Sequence, residues 1–277
     1  MPAQLSHFYL NGQIRPIDAF SDALITGKTS VYEVIKVVNS RPVFLKQHLQ
    51  RLAQSLEQAG YSSEWAQPVG AAIANLLGQC PVERHNIRVA IVFDDDTAPR
   101  STAVYFIPST YPSAEQYAQG VAVDLLPAER SNPTAKVEQN SLRQRANEAM
   151  AQHNLYEVLL LNRHNQITEG SRSNVFMVHA DGHLITAPNE AVLGGITRDV
   201  VLSICQQIGI AVELRCPHSD ELPQMQAMFI TGTSPCVLPI SRCGTLTFDP
   251  NHPLVYQIAQ RYAEAEAEDI DIHITHK

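Results

Sequence analysis

The chain has 277 residues, 44% of them hydrophobic and 17% charged, enough to bury one large core or two modest ones, and two lobes are expected. Its 28 acidic against 20 basic residues give a formal charge of −8, which argues against sequence-independent nucleic-acid binding because phosphate contacts need a concentrated basic surface. No apolar run approaches the roughly 18 residues of a membrane helix, no leading basic-then-apolar run marks a signal peptide, and five scattered cysteines without Cys-x-x-Cys oppose a disulfide framework and a zinc site, so a soluble cytoplasmic protein is expected.

Phe8-Tyr9-Leu10 and Gln13-Ile14 flank Asn11-Gly12, a dipeptide suited to the positive φ angles of a tight hairpin. A second hairpin pairs residues 31–38 with 41–45 across Asn39-Ser40. Residues 47–59 carry helical spacing in Leu49, Leu52, Leu56 and Ala59, ended by Gly60, and residues 64–78 suggest another helix. Strands 87–93 and 102–107 are joined by the polar turn 94–99, which completes a small α+β domain over residues 1–112. The stretch Pro108–Gly120 carries two prolines, serines and a glycine without a period, and the linker is placed within it at 113–120, before a larger domain at 121–277. That domain reads as strand 121–126, a polar loop containing Lys136, helix 141–152, strand 158–161, a hairpin of 175–178 and 183–186 around Asp181-Gly182, helix 197–208 capped by Thr197 or its neighbour, strands 211–215, 227–231 and 236–240, and a terminal helix 253–268.

The most informative stretch is residues 167–176, Ile-Thr-Glu-Gly-Ser-Arg-Ser-Asn-Val-Phe, which places Glu169 beside a glycine turn at the mouth of a strand. A buried Glu touching a pyridine nitrogen would keep it protonated, which lets pyridoxal phosphate act as an electron sink, and Lys136 would complete such a site as the amine. Alone, Lys136 reads as a solvated lysine and Glu169 as a turn residue. Leu193-Gly194-Gly195-Ile196-Thr197 puts two glycines before a helix, where free amides favour an anion or simply start the helix. Thr231-Gly232-Thr233-Ser234 offers further amides and hydroxyls, and Arg51 either grips phosphate or snorkels from its helix. Gly27-Lys28-Thr29-Ser30 echoes the end of a P-loop, but Asp22 stands where its first glycine is required. The eleven histidines show no metal-binding spacing, and no metal is expected.

In order and spacing these elements resemble the class IV aminotransferases, the fold-type IV pyridoxal phosphate family that includes branched-chain and D-amino-acid aminotransferases and aminodeoxychorismate lyase. The resemblance spans nearly the whole chain. It rests on Asn11-Gly12, Thr29-Ser30-Val31-Tyr32-Glu33, His48-x-x-Arg51-Leu52, Lys136 with Asn140, Tyr156-Glu157, Glu169-Gly170-Ser171, Ser173-Asn174-Val175-Phe176, Gly195-Ile196-Thr197-Arg198 and Gly232-Thr233. It implies an α/β fold with a small α+β lobe and a larger lobe carrying a barrel-like sheet, the cofactor between them, and a homodimer with sites near the subunit interface. Lys136 would be the catalytic Schiff-base lysine, Glu169 the partner of the pyridine nitrogen, Tyr156 that of the ring hydroxyl, and Arg51, Ile196, Thr197 and Thr233 the phosphate ligands, with Asn174 and Gly195 also on the cofactor. Alternation puts Tyr32, Val34 and Lys36 on one face of their strand. The family uses that face for substrate, here with Ser234.

The implied reaction moves an amino group between a branched-chain L- or D-amino acid and a 2-oxo acid; the alternatives are aminodeoxychorismate lyase, forming 4-aminobenzoate and pyruvate, and a cofactor-binding protein without turnover. Well-studied D-amino-acid aminotransferases carry an arginine and a histidine near residues 93–100, where this chain has Asp94-Asp95-Asp96. Conversely, Lys28 stands where relatives usually have glycine, and Arg172 where many have a small or polar residue. Arg172, with Lys28, is therefore a candidate for the substrate carboxylate; the competing reading is a surface or dimer-interface ion pair.

Overall fold

The computed structural model describes residues 3–131 and 133–275, with side chains to Asp271; Met1, Pro2, Asn132, His276 and Lys277 lie outside the described residues. The chain forms two compact units. The first holds the chain up to Thr110, Ala135–Glu138 and the chain from Glu266 onward; the second holds Tyr111–Thr134 and Gln139–Ala265. This departs from the expected 1–112 and 121–277 division, because two short segments distant in sequence are built into the first unit.

The first unit is an antiparallel sheet of β1 (Gln4–Leu10), β2 (Gln13–Pro16), β3 (Thr29–Val38), β4 (Arg41–Pro42), β5 (Arg84–Phe93) and β6 (Ser101–Ile107), in the order β2-β1-β6-β5-β3-β4. Asn11 (φ 46°) and Gly12 (φ 90°) make the expected tight turn. Helices α1 (Leu45–Gln58) and α2 (Val69–Gln79) bury Leu52, Leu56, Ile73 and Leu76 against Val31, Ile35, Val37 and the facing side chains of β5 and β6. The expected strand over 41–45 stops at Pro42, since Phe44 adopts a left-handed conformation (φ 54°) that turns the chain into α1. The helix expected over 64–78 is split: a 3-10 turn at Ser63–Ala66 ends before Pro68, which leads into α2.

In the second unit, the expected linker is largely a helix, α3 (Ala114–Gln119), opened by a reciprocal capping box of Ser113 and Gln116. Tyr117 on α3 donates its hydroxyl to the Pro235 carbonyl at 3.0 Å, tying the segment to this unit. The sheet comprises β7 (Val121–Pro127), β8 (Glu157–Leu161), β9 (Ile167–Gly170), β10 (Asn174–His179), β11 (Leu184–Thr186), β12 (Val212–Leu214), β13 (Met225–Gly232), β14 (Cys236–Cys243) and β15 (Leu246–Thr247), in the order β12-β11-β10-β13-β14-β7-β8-β9 with β15 on β14. β9 and β10 meet through a tight turn in which the Gly170 amide donates to the Ser173 carbonyl at 2.7 Å, so the sheet curls back on itself as expected. α4 (Asn140–His153), α5 (Ile196–Gln207) and α6 (Pro253–Thr275) complete the helices; among the described residues none is long and apolar enough to cross a membrane.

Candidate active site

In the first unit, strand alternation turns Val31, Glu33, Ile35 and Val37 toward α1 and α2 and leaves Tyr32, Val34 and Lys36 on the opposite face. The Lys136 segment is stitched to the start of β3. Val137 bridges to Val31, the Tyr32 amide donates to the Lys136 carbonyl at 3.1 Å, and the Glu138 amide donates to the Ser30 carbonyl at 3.1 Å. The Lys136 amide donates to Ser55 Oγ of α1 at 3.2 Å, and Glu138 pairs with Arg88 of β5 at 2.9 Å. These ties hold Lys136 Nζ 4.9 Å from the Tyr32 ring centroid, with the Arg88 guanidinium 4.3 Å from the same centroid.

Beneath that strand lies a buried polar cluster. Arg51 clamps Glu33 with Nε and Nη2, each at 2.7 Å, and His48 Nδ1 lies 2.8 Å from Glu33 Oε2. Burial alone would raise the Glu33 carboxyl, but the Arg51 charge and hydrogen bonds, with His48, outweigh it and hold the group well below the usual carboxylate range. Burial pushes His48 down, with Glu33 opposing. Arg51, expected on phosphate, thus has a carboxylate partner that sequence reading did not supply. Lys36 is buried and paired with Glu266, and Lys28 is an exposed residue bridged to Asp95 at 2.6 Å. Arg100 takes Asp94 at 2.9 Å, so the acidic turn is met by two local cations and Lys28 takes the surface ion-pair reading.

In the second unit, Glu157 organises the turn between β9 and β10. Its buried carboxylate accepts from the amides of Val158 (2.9 Å), Ser171 (3.2 Å) and Arg172 (3.1 Å) and from the hydroxyls of Ser171 (2.6 Å) and Ser173 (2.9 Å). Gly170 admits this arrangement because a Cβ there would lie 2.1 Å from Ser173 Oγ. Next to it, Glu169 is buried, accepts from Arg130 Nε at 2.6 Å and receives the Leu193 amide at 3.3 Å; Arg130 also donates to the Ser171 carbonyl at 2.8 Å.

Asn174 donates Nδ2 to the Leu193 carbonyl at 3.0 Å and pairs with Thr231 across β10 and β13. A Cβ on Gly195 would fall 2.0 Å from Asn174 Oδ1, so glycine is required where the chain enters α5. Helix α5 begins at Ile196 with Gly195 as N-cap and no side-chain cap, so neither Thr197 nor a neighbouring side chain caps it as expected; Thr197 sits in the first turn, its Oγ1 3.4 Å from the Tyr262 hydroxyl. Thr231 Oγ1 is buried with no hydrogen-bond partner, and Thr233 and Ser234 occupy the β13–β14 turn that follows. A Gly232 Cβ would be 3.6 Å from the Arg172 carbonyl oxygen. Arg172 is exposed, with Nη2 donating to Asn147 Oδ1. Burial pushes the Tyr156 phenol up to about 12, aided by Glu157 and Cys236 and opposed by Arg172, so it is an O–H donor at neutral pH.

Within the second unit the fold therefore gathers Tyr156, Glu169, Arg172, Asn174, Gly195, Ile196, Thr197, Thr233 and Ser234 around the β9–β10 turn, the start of α5 and the β13–β14 turn. Within the first it brings Tyr32 to Lys136. Glu157, Arg130 and Glu33 organise these groups without a local sequence signal for that role, although Glu157 and Glu33 stand inside the Tyr156-Glu157 and Thr29–Glu33 motifs.

A family model described as amino-transferase class IV matches residues 30–243. A protein named "Probable branched-chain-amino-acid aminotransferase" from Thermotoga maritima is 39% identical over 99 residues, 35% of this chain and 36% of that protein, so the match spans about a third of that relative's length. The D-alanine aminotransferase of Bacillus licheniformis is 26% identical over 245 residues, covering 80% of this chain and 82% of its own. The solved branched-chain amino acid aminotransferase of Escherichia coli shares the fold with a TM-score of 0.78 at 23% identity, covering 93% of this chain and 92% of that one.

Proposed function

The chain belongs to the class IV aminotransferases, enzymes that use pyridoxal 5'-phosphate, and we propose that it moves an amino group between a branched-chain L- or D-amino acid and a 2-oxo acid. The observation that carries this reading is the buried Glu169 carboxylate, backed by Arg130 and beside an uncapped helix start. The donor set suits the cofactor: an acceptor-only carboxylate for a pyridinium N–H, a phenol O–H for the ring oxygen, and for the phosphate the first amides of α5 and hydroxyls near the partnerless Thr231 Oγ1. When bound, the cofactor supplies the electron sink for negative charge at the substrate α-carbon.

Lys136 would hold the cofactor covalently and, once released as a neutral amine, move the substrate α-proton with its Nζ. Glu169 would accept from the pyridine nitrogen, Tyr156 would donate to the ring oxygen, and Ile196, Thr197, Thr233 and Arg51 would bind the phosphate. Asn174 would brace the Gly195 turn at the same end. Tyr32, Lys36, Ser234 and Arg172 are proposed for the substrate, with Arg172 on its carboxylate. The reading includes a homodimer in the cytoplasm, in keeping with the family expectation and with cysteines that are all free.

The test is a panel of L- and D-amino acids with 2-oxo acid acceptors, alongside the visible spectrum of the cofactor-loaded enzyme and of Lys136→Ala. Transamination and a visible band lost in Lys136→Ala are expected. Turnover that releases pyruvate and 4-aminobenzoate from aminodeoxychorismate would assign the lyase instead, and an Arg172→Ala variant with an unchanged KM for the amino acid would remove Arg172 from recognition.

A further inference from the structure

His179 and His183 face each other across the β10–β11 hairpin. Pairing runs through Val178 and Leu184, and the His179 amide then donates to the His183 carbonyl at 2.9 Å. Asp181, in the turn between them, directs Oδ1 to within 3.0 Å of His179 Nδ1 and 2.5 Å of His183 Nδ1. One ligand atom from each of the three lies within 4.8 Å of the others. Behind this group, His183 Nε2 is closed off from solvent and stands 3.3 Å from Glu213 Oε2; Glu213 is held in turn by Arg215 Nε at 3.0 Å, and Arg215 pairs with Glu221 at 2.8 Å. β12 lies directly beside β11, with Glu213 opposite Ile185, which brings this second carboxylate to the hairpin.

We propose that His179, Asp181 and His183 bind one divalent transition-metal ion, with Glu213 orienting His183. Two imidazoles and a carboxylate form a borderline donor set that suits Zn²⁺, Ni²⁺ or Cu²⁺, whereas Mg²⁺ and Ca²⁺ demand oxygen ligands. Bond lengths of about 2.0–2.2 Å place neighbouring ligand atoms of a tetrahedral site roughly 3.3 Å apart. The His179 edge to Asp181 Oδ1, at 3.0 Å, is already near that length, the His183 edge opens from 2.5 Å as the proton leaves, and small ring rotations set the third, which is within 4.8 Å. On binding, the ion replaces the protons shared between Oδ1 and the Nδ1 atoms, and these pass to solvent. His183 Nε2, buried without a hydrogen-bond partner, has the Glu213 carboxylate 3.3 Å away, and a small ring turn makes it the outer partner that fixes ring orientation at metal-bound histidines. The side chain of Asp181 is 63% exposed, so water completes the coordination and the ion clamps the hairpin without closing it off.

The test is calorimetric titration of the cofactor-loaded enzyme with ZnCl₂, MgCl₂ serving as control, with thermal unfolding followed in parallel. One saturable Zn²⁺ per chain and a raised Tm are expected. Affinity should fall at least about tenfold in His179→Asn and His183→Gln, and about tenfold in Glu213→Gln. Transaminase turnover should persist in all three. Should His183→Gln fail to fold, Asp181→Asn on the exposed turn gives the same readout with the strands intact. No saturable Zn²⁺ in the parent enzyme, or an unchanged isotherm in His179→Asn, overturns the proposal and assigns any bound ion to the cysteines or other histidines.

Discussion

Five donors converge on the Glu157 carboxylate, four of them from the turn that carries Arg172 between Glu169 and Asn174. Replacing it by glutamine keeps the volume but turns one acceptor into a donor that meets N–H and O–H groups. Hydrogen bonds to a charged group contribute about 1.5–3 kcal/mol each, so Glu157→Gln is expected to lower stability by roughly 3 kcal/mol in urea unfolding and to weaken cofactor binding. A loss below about 0.5 kcal/mol would show that the turn does not depend on that charge. Gly195 gives a second residue-level expectation. Gly195→Ala should cost about 1–3 kcal/mol by pushing its methyl into Asn174 Oδ1, and Asn174→Ala should relieve part of it, so a double-mutant cycle by urea unfolding should be less than additive. Additive losses would place the strain elsewhere. Glu157 was visible in the sequence only as the neighbour of Tyr156; all its donors but the adjacent Val158 amide lie 14 to 16 residues away, beyond any local pattern.

β3 presents two chemistries on its two faces, and its alternation was readable because strand side chains point to opposite sides with period two. The buried triad of Glu33, Arg51 and His48 under that strand sets an acid limit. Both Glu33 and His48 titrate lower when folded than when unfolded, so the unfolded chain binds the extra protons as pH falls. The stability contributed by His48 is therefore full above about 6.5 and that of Glu33 full above about 4.5, and each is lost as pH falls below those values. Urea midpoints measured from pH 7 to 3 should decline in that order, and Glu33→Gln should lower the midpoint at pH 7 while flattening the limb below 4.5. An acid limb of unchanged slope in that variant would remove Glu33 as its origin. Helix bounds were less legible. The left-handed Phe44 and the break at Pro68 shifted two starts, and the Ser113-x-x-Gln116 box that marks α3 was hidden among the prolines and serines read as a linker.

At the scale of the molecule, the first unit depends on residues far along the chain: Ala135–Glu138 adds to β3, and Glu266 pairs with the buried Lys36. Removing one member of a buried ion pair leaves an uncompensated charge and typically costs about 3–5 kcal/mol, whereas replacing both by apolar residues is often neutral. Glu266→Ala should fall in that range in urea unfolding, and Lys36→Met with Glu266→Leu should recover most of it. Equal losses in the single and double variants would mean that α6 packing, and not the charge, matters there. The sequence by itself determined the asparagine-glycine turn and the two faces of β3, because turn chemistry and strand period are local properties of the chain. Only the tertiary structure decided that Arg51 serves Glu33, that Glu157 builds the Glu169 turn, that Lys28 answers an acidic loop and that two distant segments complete the first unit. Those pairings join polar residues separated by up to 230 positions, and no periodicity or propensity encodes which distant partner a buried charge will find.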